Sequence, residues 1–239
     1  ERMNCENKTY CNTITLNKKQ SIKVQIKYNS RAKHTILRID PRTDALIITV
    51  PKVLSPSKIR RLVEKNANWI FDKLSLLPPK TPFIDGQTFN LMGKNIIICH
   101  DPDNLGGVKL NNETLIVSGK VEHISRRIKD WLKKYAHNIL VHKVRNMAAT
   151  LDASFGRISI RDNRSSWGSC SSQGNIAFSW RLIMAPEPVV DYVVAHEVAH
   201  LVYLNHSKDF WDTVGSLDAN YQQSKNWLRI NGELLQRVG

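Results

Sequence analysis

No apolar run in this chain of 239 residues approaches the ~20 residues needed to cross a bilayer; stretches such as Leu46–Val50 and Ile96–Cys99 are strand-sized. The first dozen residues, Glu1 to Asn12, are polar and lack the apolar centre of a secretory signal, so the expected location is cytoplasmic. Cysteine is scarce: Cys5, Cys11, Cys99 and Cys170 form neither a CxxC pair nor a dense framework. They read as free thiols of a reducing compartment. Without a secretory signal, the N-x-S/T matches at Asn7, Asn112, Asn163 and Asn205 carry no weight. Neither an internal repeat nor a low-complexity segment is apparent.

Acidic residues are also few, with 21 Asp and Glu against 35 Lys and Arg, a formal net charge of +14. The excess is uneven: residues 1–120 carry +10 and residues 121–239 only +4. A docking surface for nucleic acid or an acidic protein is one reading. A lysine-rich solvated surface is the simpler one, because no aromatic-interleaved basic stripe or nucleic-acid motif accompanies the charge. The hydrophobic fraction of 41% and charged fraction of 23% are those of a globular protein. The length allows one large domain or two small ones.

Patterning implies an α+β chain. Ser21 to Tyr28 alternates apolar with polar residues, as a half-buried strand does. Thr35 to Ile39 and Leu46 to Val50 continue the pattern across an Asp40–Asp44 turn. One helix is expected from Ser55 or Ser57 to Leu77, with Ile59, Leu62, Val63, Trp69, Ile70 and Leu74 as its apolar stripe and Pro78-Pro79 as its stop. Phe89 to Cys99 and Val108 to Val117 read as strands, the second turning at Asn111-Asn112. Ser118-Gly119 is the expected boundary, giving a β-rich basic module over 1–118 and a second domain over 119–239. In the latter, a long amphipathic helix spans Val121 to Leu151. Strands at Arg157–Arg161 and Asn175–Leu182 flank a Ser/Gly-rich turn over Ser165–Gly174. Ala185-Pro-Glu-Pro188 opens a further helix, with Glu187 and Asp191 suited to its positive end.

That helix carries His196-Glu197-Val198-Ala199-His200, followed by His206. Residues four apart share a helical face roughly 6 Å apart, so His196 and His200 can bind one Zn²⁺ while Glu197 reaches a water beside it. With His196 at 0°, Val190, Val194, Val198, Leu201 and Val202 span about 120–240°, a core arc that turns both histidines toward a cleft. His206 would lie about 9 Å further along a continued helix, too far to share the ion. It can ligate only if the helix ends near Tyr203–Asn205. Asn205 suits such a stop, and Ser207 suits the cap of a next helix carrying Phe210, Trp211 and Val214. Three histidines leave the fourth position open, the pattern of a catalytic zinc. The competing third ligand is an acid, Asp209, Asp212 or Glu233.

The expected chemistry is hydrolysis of a peptide bond by a zinc-activated water, with Glu197 as general base and then as proton donor to the leaving amine. An oxyanion donor is also required; Tyr203, Tyr221, Arg161 and Arg164 are candidates that sequence does not separate. The runner-up is a non-proteolytic basic module that binds protein or nucleic acid and uses the zinc site as scaffold. Retention of Glu197 argues against it, since a structural site has no use for a base. A zinc hydrolase of small amides is a third reading.

The segments Trp167-Gly-Ser-Cys-Ser-Ser-Gln-Gly-Asn175, Trp180-Arg-Leu-Ile-Met-Ala-Pro186, Asp191 to His200, Asn205-His-Ser207 and Phe210-Trp211 together resemble the YgjP-like metallopeptidases. The resemblance extends forward through Thr35–Asp40, Val50-Pro51, Val63-Glu-Lys65 and Trp69-Ile70. It implies a zincin-like metallopeptidase minidomain with an active-site helix, related to SprT-like proteases. It further implies His196, His200 and His206 as metal ligands, Glu197 as catalytic acid/base, Zn²⁺ as cofactor and a protein or peptide substrate. Ser166 stands where that family commonly has arginine.

Overall fold

The structure, a computed structural model, describes residues 9–16 and 20–239. Cys5 and Asn7 of the polar N-terminal stretch lie outside the described residues. By compactness the chain divides into two units, Glu1–Pro78 and Pro79–Gly239.

In the first unit, β1 (Thr9–Leu16) and β2 (Gln20–Tyr28) pair antiparallel, as do β3 (Ile36–Asp40) and β4 (Ala45–Val50). The inner strands β2 and β4 run parallel, giving the order β1-β2-β4-β3. The expected turn closes on Asp40, whose buried carboxylate accepts from the Arg42 N–H at 3.1 Å and the Thr43 hydroxyl at 3.1 Å, while Asp44 turns left-handed at φ 57°. Val24, Ile26, Leu46, Ile48 and Val50 pack with Ile59, Val63 and Ile70 in one core.

The single helix expected over this region is two helices, α1 (Pro56–Lys65) and α2 (Ala67–Ser75). Asn66 breaks it: its side-chain Nδ2 donates to the Leu62 carbonyl at 2.7 Å and its backbone leaves the helical region at φ −105°, ψ 14°. A short amide competing for backbone partners is a common helix interrupter. The break also turns Trp69 out of the expected stripe, leaving it 38% exposed.

The second unit opens with a sheet of the same form. β5 (Thr88–Leu91) pairs antiparallel with β6 (Lys94–His100), β7 (Val108–Asn111) with β8 (Thr114–Val117), and β6 runs parallel to β8 in the order β5-β6-β8-β7. Two hairpins joined through their inner strands thus occur twice in the chain, a repeat of topology that residue identity does not reveal. Phe89 to Cys99, expected as one strand, is a hairpin. Its turn residues Met92 and Gly93 both have positive φ, 52° and 87°. The Met92 N–H donates to the Ile183 carbonyl at 2.8 Å, an anchor that holds methionine in a conformation usually left to Asn or Gly.

Ser118-Gly119, expected as a domain boundary, lies inside this unit. The Ser118 carbonyl accepts from Arg127, and His100 Nε2 sits 2.6 Å from the Gly119 carbonyl oxygen. Phe89, Leu91, Ile96, Ile98, Leu115 and Val117 of the sheet share one core with the helices that follow. Beyond a short 3₁₀ turn, α3 (Ile124–Thr150) buries Ile124, Ile128, Leu132, Ala136, Leu140, Val144 and Ala148 along one face. A three-stranded sheet follows in the order β10-β11-β9, built from β9 (Ile158–Arg161), β10 (Gly168–Cys170) and β11 (Ile176–Ser179). The segment read as a Ser/Gly-rich turn therefore contains an edge strand, β10, paired antiparallel with β11. The strand expected to run to Leu182 ends at Ser179, and Trp180–Met184 is a buried 3₁₀ turn.

Three helices complete the unit: α4 (Glu187–Ala199), α5 (Lys208–Leu217) and α6 (Tyr221–Gln236). Lys143 of α3 bridges to Glu187 at 2.8 Å and Asp191 at 2.6 Å, tying α3 to the start of α4. Arg181, 4% exposed, donates from Nη1 to the Val238 and Leu235 carbonyls and pairs with Asp162 at 3.2 Å, pinning the chain's end to the 3₁₀ turn. Among the described residues no helix is long and apolar enough to cross a membrane.

Candidate metal centre

Helix α4 is buried on nearly every side. Val190, Val194 and Val198 of the expected arc are buried, but so are Val189, Val193, Ala195 and Ala199. Val202, counted in that arc, is 50% exposed because the helix has already ended. The chain turns back after Ala199, with the Tyr203 N–H donating to the Ala199 carbonyl at 2.9 Å. Ser207 then caps α5, its hydroxyl accepting from the Phe210 N–H at 3.4 Å, as the sequence implied.

This cap seats Phe210. Its ring is completely buried and lies 5.0, 4.6 and 4.8 Å, centroid to centroid, from the rings of His196, His200 and His206. The three imidazoles gather around that one apolar contact. Each offers a ring nitrogen, and these atoms lie within 4.8 Å of one another. His196 Nε2 and His206 Nε2 are 3.2 Å apart, close to the ~3.3 Å edge of a tetrahedron built on ~2.05 Å metal–nitrogen bonds. Among the described residues no carboxylate joins the cluster, so Asp209, Asp212 and Glu233 stand outside it.

The donor set suits a borderline-soft divalent cation. Burial first, and then the neighbouring His200, His206 and Lys225, push the His196 ring down to about 4, so it is neutral at pH 7 with a lone pair to give. His206 is lowered as well, by its partial burial and by His200 and Lys225. His200 Nδ1 meets the Tyr203 carbonyl oxygen at 2.9 Å, which leaves its Nε2 for the cluster. Among the described residues the buried Nδ1 of His196 has no such partner.

Glu197 projects from the same helix into an adjoining cleft of about 200 Å³, lined by Trp167, Gly168, Tyr192, Val193, His196 and Leu228. It is 5% exposed, and burial raises its carboxyl to about 8. Its carboxylate makes no hydrogen bond or ion pair with any described residue. A buried, unpaired carboxylate is a stronger base than one in bulk water, and a cation at the histidines would pull its affinity for protons back down.

Of the expected oxyanion donors, Tyr203 supplies its carbonyl to His200. Tyr221 stacks between Trp211, at 5.5 Å, and Tyr192, at 6.4 Å. Arg161 closes β9 on an exposed surface. Neither Arg161 nor Arg164 lines the cleft. Ser166, where the resemblance led one to expect arginine, accepts a hydrogen bond from Asn163 Nδ2 at 3.3 Å. The residue that sequence reasoning missed is Tyr192, which lines the cleft and is raised to about 12 by burial, then by Glu197 and Tyr221. The signal was its place four residues before His196, on the same helical face.

Fold and site together define an α+β protein with a three-histidine cluster of the kind metallopeptidases use. The chain belongs to the YgjP-like family, whose metallopeptidase-domain model matches residues 33–231. No curated protein matches the chain significantly. Among solved structures, the crystal structure of the metallopeptidase zymogen of Pyrococcus abyssi abylysin is similar over 44% of this chain and 99% of that one, at 21% identity and a TM-score of 0.34.

Proposed function

We propose that the protein is a zinc-dependent peptidase in which His196, His200 and His206 hold the metal and Glu197 is the general base. The observation that carries this reading is the gathering of three ring nitrogens within 4.8 Å, beside a buried and unpaired carboxylate. A bound zinc ion would supply Lewis acidity, lowering the pKa of a water it holds toward about 7. Glu197 takes the proton of the attacking water as that oxygen adds to the scissile carbonyl carbon. It returns the proton to the amine nitrogen as the C–N bond breaks, leaving a carboxylate and a free amine. Tyr192 keeps its hydroxyl proton at any physiological pH and so holds a donor in the same cleft for the developing oxyanion. β10, the edge strand beside Glu197, offers backbone groups with which an extended peptide can pair.

A scaffold that merely bound partners through its basic surface would gain nothing from a buried carboxylate without a partner, which costs stability. The test is cleavage of fluorescein-labelled casein by the zinc-loaded full chain, with Glu197→Gln as comparison. The expected result is one zinc in both and cleavage lost in the variant. Equal residual activity in the two, or zinc-loaded wild type that cleaves nothing across a broad peptide library, overturns the reading.

A further inference from the structure

We propose that Gly168 is a positioning residue: the space where its side chain would be is the seat of the Glu197 carboxylate. A Cβ built on Gly168 would lie 2.5 Å from Glu197 Cγ, 2.5 Å from Oε1 and 2.7 Å from Cδ. These distances are far inside van der Waals contact, so Glu197 lies directly against the bare backbone of β10.

Two further observations make this the reason for the glycine. First, its backbone does not demand one. Gly168 is not among the positive-φ residues; it sits in regular strand, paired with Phe178. A glycine in a strand packs no side chain of its own and commonly marks the close approach of another group. Here that group is the carboxylate. Second, nothing else orients Glu197. With no hydrogen bond or ion pair to a described residue, its carboxylate is held by shape alone, between β10 and the remaining wall of the cleft. Gly86, Gly93, Gly107 and Gly174, by contrast, have φ between 72° and 87° and owe their identity to turns.

The clash falls on the flexible end of a side chain, so a methyl at position 168 is relieved by the carboxylate swinging away rather than by unfolding. The three atoms nearest that methyl all belong to Glu197, so the histidines keep their places. The consequence for catalysis rests on the reading of Glu197 as general base; the consequence for its position does not.

The experiment compares crystal structures, zinc content and kinetics of wild type and Gly168→Ala in the full chain, with a quenched-fluorescent peptide selected by cleavage with wild type. The expected result is unchanged zinc, a displaced Glu197 carboxylate, and kcat lowered about 100-fold with KM within about threefold, the loss that roughly 1 Å of misplacement produces. A carboxylate that stays in place overturns the inference, as does a displaced one with kcat unchanged, or loss of zinc with the substitution. If zinc-loaded wild type cleaves nothing, the peptidase reading alone fails, and the carboxylate's position in Gly168→Ala still decides the seating. Should Gly168→Ala not fold, Glu197→Asp is added to it. The shorter side chain makes room, so recovered folding supports the inference and persistent misfolding overturns it.

Discussion

His200 Nδ1 lies 2.9 Å from the carbonyl oxygen of Tyr203, three residues further on, so the turn that ends α4 also fixes which face of the His200 ring meets the cluster. The same turn brings His206 back to within 3.2 Å of His196. Helix end and histidine-cluster geometry are therefore one feature. His206 is exposed and lies in the loop after α4, so His206→Ala is expected to leave the metal-free fold intact. It should weaken zinc binding by about 100-fold or more, since it removes one of the three proposed ligands. Elemental analysis with chelator competition checks this. Full zinc retention in His206→Ala would remove that residue from the ligand set.

Much of this was legible from residue order, because the informative signals are local. The turn at Asp40–Asp44, the histidines on α4 and the Ser207 cap each depend on a few neighbouring residues. What was not legible depends on contacts distant in sequence. Met92 adopts a turn conformation because Ile183 accepts its N–H. Gly168-Ser169-Cys170 forms a strand because Phe178, Ala177 and Ile176 lie opposite. Ser118-Gly119 resembles a linker by composition, yet Arg127 and His100 pin it. The valine arc of α4 pointed to a one-sided helix, whereas α3, α6 and the strands cover it almost entirely. Tyr192 escaped notice because an aromatic residue on a buried helix reads as core.

Cys170 and Cys99 should differ sharply toward alkylation. Cys99 is exposed, whereas burial, aided by the Glu197 carboxylate, raises the Cys170 thiol to about 11. At pH 8 only about one Cys170 in a thousand is then thiolate, and its rate should rise about tenfold per pH unit toward pH 11. Iodoacetamide labelling of the metal-free chain, read by peptide mass spectrometry, tests this. Rapid labelling of Cys170 at pH 7 would contradict the protected thiol.

Lys143 predicts an alkaline limb of stability. Burial alone would lower its pKa, but hydrogen bonds and charge from Asp191 and Glu187 outweigh that and raise it above 10.5. A raised lysine stabilises the fold fully below its unfolded value, and the contribution disappears as pH climbs through the folded value. Lys143→Met should therefore cost about 1 kcal/mol near pH 7, given that both carboxylates are partly exposed. It should also flatten the decline in stability above pH 10.5. Urea melts across pH 7–11.5 supply the comparison; parallel curves for the two proteins would refute it.

Arg181 carries a larger structural load. Its guanidinium is buried, and its Nη1 donates to two carbonyls at the end of the chain while its Nε pairs with Asp162. Arg181→Met leaves those carbonyls dry and unpaired, at an expected loss of about 3 kcal/mol. In a unit of this size that is roughly 6–12 °C in melting temperature. A change under about 2 °C, measured by scanning calorimetry, would mean that water replaces the guanidinium.

The cleft beside Glu197 makes a prediction about sequence preference. Its walls away from His196 and Glu197 are Trp167, Val193 and Leu228, and its volume is about 200 Å³, somewhat larger than the ~150 Å³ cavity that admits benzene. An apolar substrate side chain of leucine or phenylalanine size fits such a space next to the scissile bond, whereas a charged one would be desolvated without a partner. Cleavage sites in a peptide library should therefore favour Leu, Met or Phe at one position flanking the cut. Leu228→Trp, which narrows the cleft from α6, should shift that preference toward Ala and Val by at least about tenfold in kcat/KM, within the range a few methylenes command. A library profile with acidic or basic residues dominating that position in wild type, or one unmoved by Leu228→Trp, would place the substrate side chain elsewhere.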